Sequence, residues 1–140
     1  MSHLDKIFKT VFGGIATFFA FIIGGFDYSI QALLIIMIID YLTGIGKSYV
    51  SAKLNSNRGL KGIVKKLCML CLVAVAVILD KITGNSGLIR TFIIYYLIAN
   101  EGLSIIENLS EMNIIVPDFL KKKLEQLKNA QTNIKDKEEQ

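Results

Sequence analysis

The chain has 140 residues, enough for one domain, and it is 52% hydrophobic while 20% of its residues are charged. In a soluble domain those two groups interleave, but here they separate into blocks: apolar runs fill roughly 11–26, 30–46, 67–79 and 88–99, with the charges mostly between and after them. Segregation on that scale favours a membrane protein over the alternative, a soluble helical bundle, because hydrocarbon selects long uncharged stretches; the net charge of +4 comes with no nucleic-acid-binding signature.

The first run, Val11–Phe26, follows Lys6 and Lys9 and has the outline of a signal peptide. No small-residue cleavage site follows, and a second apolar run begins within four residues, so it reads as a membrane segment. Gly13, Thr17, Ala20 and Gly24 recur at spacings of four, three and four, which places them on one helix face. Small residues let membrane helices approach closely, within one chain or between copies.

Phe26-Asp-Tyr-Ser29 makes a tight turn into the second run, Ile30–Gly46, which is aliphatic until Asp40. Asp40, Gly44 and Lys47 share a face at i, i+4 and i+7. That face reads either as an ion pair reaching the interface or as a wet stripe facing a partner. The stretch 47–66 holds Lys47, Lys53, Arg58, Lys61, Lys65 and Lys66 and no acidic residue. By the positive-inside rule it faces the cytoplasm, and these six form an expected inner-leaflet anchor. Asn55-Ser-Asn57 and Gly59 supply turn chemistry within it.

A third segment is expected from about Ile63 to Ile82, with Asp80-Lys81 marking the outer boundary. Cys68 and Cys71 lie in its apolar run; with no second CxxC and only His3 as an imidazole, they read as packing residues. The fourth helix starts at Leu88, carries Arg90 in its first turn, and keeps helical periodicity to about Met112. It is wholly apolar only to Ala99; Asn100, Glu101, Ser104, Glu107, Asn108 and Glu111 then form a polar stripe, as in a helix entering an interface or lining a wet lesion. Pro117 ends this region, and a charged helix, Phe119–Gln131, carries a modest stripe of Leu120, Leu124 and Leu127. Lys135–Gln140 reads as a solvated, disordered tail.

The expected fold is therefore an all-α integral membrane protein, with transmembrane helices in 1–112 and a cytoplasmic amphipathic helix and tail in 113–140. Four spans with both ends cytoplasmic place fourteen of the sixteen Lys and Arg residues inside, leaving Lys81 and Arg90 outside. Three spans keep the C-terminus inside and put the N-terminus out; Lys6 and Lys9 alone separate the counts, and four is the preferred reading. No Ser–His or metal–histidine constellation, P-loop or GxGxxG is present, and Gly59-Leu-Lys-Gly62 is too short to cradle a phosphate. The chain reads as a non-enzyme with no catalytic residue, cofactor or metal.

Several motifs resemble, in one order, the toxin-secretion and phage-lysis holin family. They are Asp40-Tyr-Leu-Thr-Gly44, Leu54-Asn-Ser56, Gly59-Leu-Lys-Gly62 with Lys65-Lys66, Arg90-Thr91, Tyr96, Ala99-Asn-Glu-Gly-Leu-Ser-Ile105, Glu107-Asn108, Val116-Pro-Asp-Phe-Leu120 and Leu124-Glu-Gln-Leu127. The resemblance covers about residues 30 to 128 and carries little of the first segment. It implies a homo-oligomer in the bacterial cytoplasmic membrane that opens large, non-selective lesions for an endolysin or, in clostridial toxin loci, a toxin. Gly13, Thr17, Ala20, Gly24, Asp40, Gly44, Asn100, Glu101, Ser104 and Glu107 are the expected pore-lining or subunit-contact residues. Two other classes compete: a narrow channel or small-solute transporter using Asp40 and Glu101, and an antiholin or membrane scaffold.

Overall fold

The computed structural model describes residues 3–53 and 55–138, from 130 onward as backbone only. It contains five helices and, among the described residues, no strand: α1 His3–Ile22, α2 Tyr28–Val50, α3 Ser56–Thr83, α4 Leu88–Glu111 and α5 Asp118–Glu138. Three of them, α2, α3 and α4, are long and apolar enough to cross a bilayer. At about 1.5 Å per residue their 23, 28 and 24 residues measure about 35, 42 and 36 Å, against a hydrocarbon core of about 30 Å. The expected α-helical membrane fold is thus observed. α1 falls short of the measure for a span because Asp5, Lys6 and Lys9 occupy its first two turns.

Local chemistry sets the helix ends. Asp27 caps α2, its carboxylate accepting from the Ile30 N–H at 3.1 Å, and Asn55 caps α3 by accepting from the Asn57 N–H at 2.9 Å. α3 therefore starts at Ser56, seven residues before the expected Ile63, because Asn55 nucleates a helix and Gly59 is absorbed into it. Gly84, at φ 73°, closes α3 in the left-handed conformation that glycine tolerates. α4 ends ahead of Pro117, where Asn113 takes φ 60°. Of the expected disordered tail, Lys135–Gln140, the part up to Glu138 belongs to α5, and the last two residues lie outside the described ones.

α4 is the central helix and packs on α2, α3 and α5. Ile30, Leu33 and Met37 of α2, Met69 and Val73 of α3, and Ile94 and Leu97 of α4 make the apolar core. The opposite faces stay apolar and exposed, with Ile35, Ile38 and Leu42 on α2 and Leu67, Val75 and Ile78 on α3. That is an outward face suited to hydrocarbon, and far too large a patch for a monomer in water. α5 turns back along α4, where the Leu124 methyls fill a notch at Gly102: a Cβ there would stand 3.0 Å from them. α1 has no buried residue and borders α2 and α3 across an apolar crevice of about 720 Å³.

Candidate functional site

Near the middle of the bundle each spanning helix contributes an ionisable side chain to one cluster. Lys66 of α3 donates to the Asp40 carboxylate of α2 at 2.7 Å and also to the Glu101 carboxylate of α4. The side chains are 16%, 15% and 0% exposed, so the ammonium lies between two carboxylates that hydrocarbon alone would not tolerate. Asn108 of α4 continues the network, its amide donating to Asp40 at 3.3 Å and to the Thr43 hydroxyl at 3.2 Å. Thr43 in turn donates to the Asp40 carbonyl at 3.0 Å. Glu101 Oε1 is buried with no hydrogen-bond partner.

Helical phase explains the convergence. Glu101 and Asn108 are seven residues apart, two turns on the face of α4 that meets α2 and α3. Asp40 and Gly44 are one turn apart on α2, and a Cβ on Gly44 would lie 3.7 Å from the Asn108 amide nitrogen, so its small size leaves room for that amide. One turn further on, Lys47 pairs with Glu111 at 2.7 Å in a more exposed contact.

A second cluster closes the other end. Arg90 donates from Nε to the Ile23 carbonyl at 2.7 Å, from Nη1 to Asp27 at 2.6 Å and from Nη2 to the Gly25 carbonyl at 3.1 Å. Its guanidinium holds the Asp27 carboxyl well below the usual carboxylate range. The α4 N-cap is Gly87, which has no side-chain acceptor; Asp80 of α3 supplies one, accepting from the Ile89 and Arg90 N–H groups at 3.0 and 2.8 Å. From sequence alone Asp80 marks a boundary and Arg90 falls in the first turn of the fourth helix and in a family motif, and neither reading joins the two. An uncapped helix start preceded by an aspartate one helix earlier was the available signal.

The expected site residues thus divide. Asp40, Gly44 and Glu101 come together, whereas Asn100 and Ser104 are half-buried outside the cluster. Glu107 lines a groove between α4 and α5 with Lys121 and Lys128. Lys66, expected among the inner-leaflet anchors, directs its ammonium into the bundle, where the Asp40 and Glu101 carboxylates accept from it. Lys53, Arg58, Lys61 and Lys65 remain exposed. On α1, Gly13 has nothing within 4 Å of a Cβ position, Thr17 is exposed, and Ala20 is half-buried. Gly24 requires correction: it lies beyond the end of α1 at φ 79°, where a Cβ would meet Arg90 and Val77 at 2.9 Å. Cys68 and Cys71 are exposed free thiols on α3.

Residues 17–129 match the model of a bacteriophage holin family, a span that contains all three membrane-crossing helices and both clusters. The chain is 43% identical over 122 residues to an uncharacterised protein of Clostridium perfringens, covering 86% of this chain and 90% of that one. It is 39% identical over 130 residues to an uncharacterised 14.9 kDa protein from the nagH 3′ region of the same species, covering 92% and 98%. It is also 30% identical over 121 residues to a probable holin of Bacillus phage phi105, covering 86% and 89%. No solved structure matches the chain.

Proposed function

The chain belongs to the bacteriophage holin family, and from that premise we propose that it is a holin: it accumulates in the bacterial cytoplasmic membrane, associates with its own copies, and opens lesions wide enough for a folded protein. The observation that carries the reading is the Asp40–Lys66–Glu101 cluster, which joins buried charges from all three helices able to cross a membrane. Within a single chain Lys66 holds both carboxylates, one Glu101 oxygen staying unpaired, and the bundle is closed. Once helices separate during association, the same side chains can stay at membrane depth only beside water, so they favour an aqueous lesion over a lipid-sealed bundle. The protein acts without catalysis, and its C-terminus lies in the cytoplasm by the positive-inside rule. Its functional partner is a murein hydrolase or a secreted toxin.

The test is inducible expression in a bacterium with and without a cytosolic murein hydrolase, following optical density and membrane potential. Abrupt lysis at a reproducible time, only with both proteins present, is the expected result. Slow depolarisation without hydrolase release would identify a narrow channel. Membrane insertion without either effect would identify an antiholin or scaffold.

A further inference from the structure

Between α2 and α3, at the end of the bundle carrying the basic loop, a cleft of about 610 Å³ runs up to the buried cluster. Arg58, Lys65, Ser48 and Asn55 are among its polar lining, and Ile45, Leu60 and Ile63 supply apolar wall. Among the described residues its only acidic lining residue, Asp40, is already held by Lys66 and Asn108. Arg58 and Lys65 have no ionic partner among the described residues. Two glycines on α3 keep the cleft open beside Tyr41: a Cβ on Gly59 would lie 3.3 Å from the Tyr41 hydroxyl, and one on Gly62 would lie 3.5 Å from its ring.

We infer that this cleft seats one anionic phospholipid of the leaflet on the loop side, its phosphodiester on Arg58 and Lys65 and an acyl chain along Leu60 and Ile63. Side chains hold the phosphodiester, and no glycine-rich backbone cradle is involved. Unpaired cations beside a polar wall suit the headgroup. Leu60 and Ile63, exposed on the same helix, give the cleft an apolar wall that a lipid can use and inorganic phosphate cannot. Such a seat differs from a general attraction of lysines to an anionic surface because it holds one lipid and depends on shape.

The full-length protein in neutral detergent, titrated with phosphatidylglycerol or phosphatidylcholine and read by native mass spectrometry, tests this without reference to lysis. A failure here therefore leaves the holin reading standing, and a failure of the lysis experiment leaves this one. One phosphatidylglycerol is expected to be retained with an affinity about tenfold or more above phosphatidylcholine. Arg58→Gln with Lys65→Gln should abolish that preference, while Lys122→Gln with Lys123→Gln, the same loss of charge on α5, should leave it intact. Ser48→Phe, which fills the cleft without changing charge, should also expel the lipid. Equal retention by the Arg58/Lys65 variant, equal loss in the α5 variant, or an undiminished preference in Ser48→Phe would each overturn the seat.

Discussion

Lys66 joins two carboxylates from two other helices, so its loss leaves Asp40 and Glu101 facing each other without a cation. Breaking a buried ion pair by removing one partner costs about 3–5 kcal/mol, whereas replacing the whole set by neutral groups costs far less. Lys66→Met should therefore lower the thermal midpoint of the detergent-solubilised protein strongly, and Lys66→Met with Asp40→Asn and Glu101→Gln should recover most of it. A triple variant as unstable as the single would show that the cluster does not act as a unit. The clamp at the other end makes a pH-dependent prediction. Asp27 is held below the ordinary carboxylate value by Arg90, so its contribution to stability is fully present above that value and is lost as pH falls below it. The stability difference between the protein and Asp27→Asn should be constant from neutral pH down to about 4 and shrink in stronger acid; a difference that vanishes by pH 6 would exclude the assignment. Asp27 is half exposed, so the difference itself should be modest. Asp40 was legible in the sequence because an acid within an apolar run is conspicuous, and Glu101 because it opens a polar stripe on a helix that begins as an apolar run. Lys66 was not, since it sits beside Lys65 in a basic stretch and only the register of α3 turns one lysine inward and its neighbour outward.

At the scale of elements, the spanning helices were readable from hydropathy and phase, and errors collected at their ends. α3 begins early because Asn55 is a cap inside what looked like a loop, and α1 ends before Gly24 because two consecutive glycines take positive φ. α5 was recognisable from its leucine stripe, yet nothing in sequence pointed to its partner, because a single mid-helix glycine is common in membrane helices. The partner is the Gly102 notch, where Leu124 sits against α4 with Ile36 of α2 at its edge. Gly102→Leu should drive α5 off α4. Trypsin cleavage within 121–128 should then accelerate about tenfold or more as the docked population falls, while α2 to α4 stay protected in bilayers. Unchanged cleavage would mean that α5 does not depend on this contact.

For the molecule as a whole, the disposition of α1 decides how many times the chain crosses the membrane. Its uncharged part, 10–22, is about 20 Å long at 1.5 Å per residue, short of a hydrocarbon core of about 30 Å. Two observations nevertheless favour insertion. The turn after α1 is fixed to the bundle by Arg90, and from there the helix borders α3, with Lys81 Nζ 4.7 Å from the Phe21 ring and Ala16, Thr17 and Ala20 facing Leu67, Leu70 and Ala74 across the crevice. Lys6 and Lys9 can reach headgroups while their stems stay in hydrocarbon, and local thinning accommodates the remaining mismatch. With Cys68 and Cys71 replaced by serine, a cysteine at position 3 in whole cells should consequently be shielded from an impermeant external thiol reagent and react only after permeabilisation. Labelling in intact cells would place the N-terminus outside, reduce the spans to α2, α3 and α4, and make the exposed phenylalanines of α1 a surface-lying anchor on the outer leaflet.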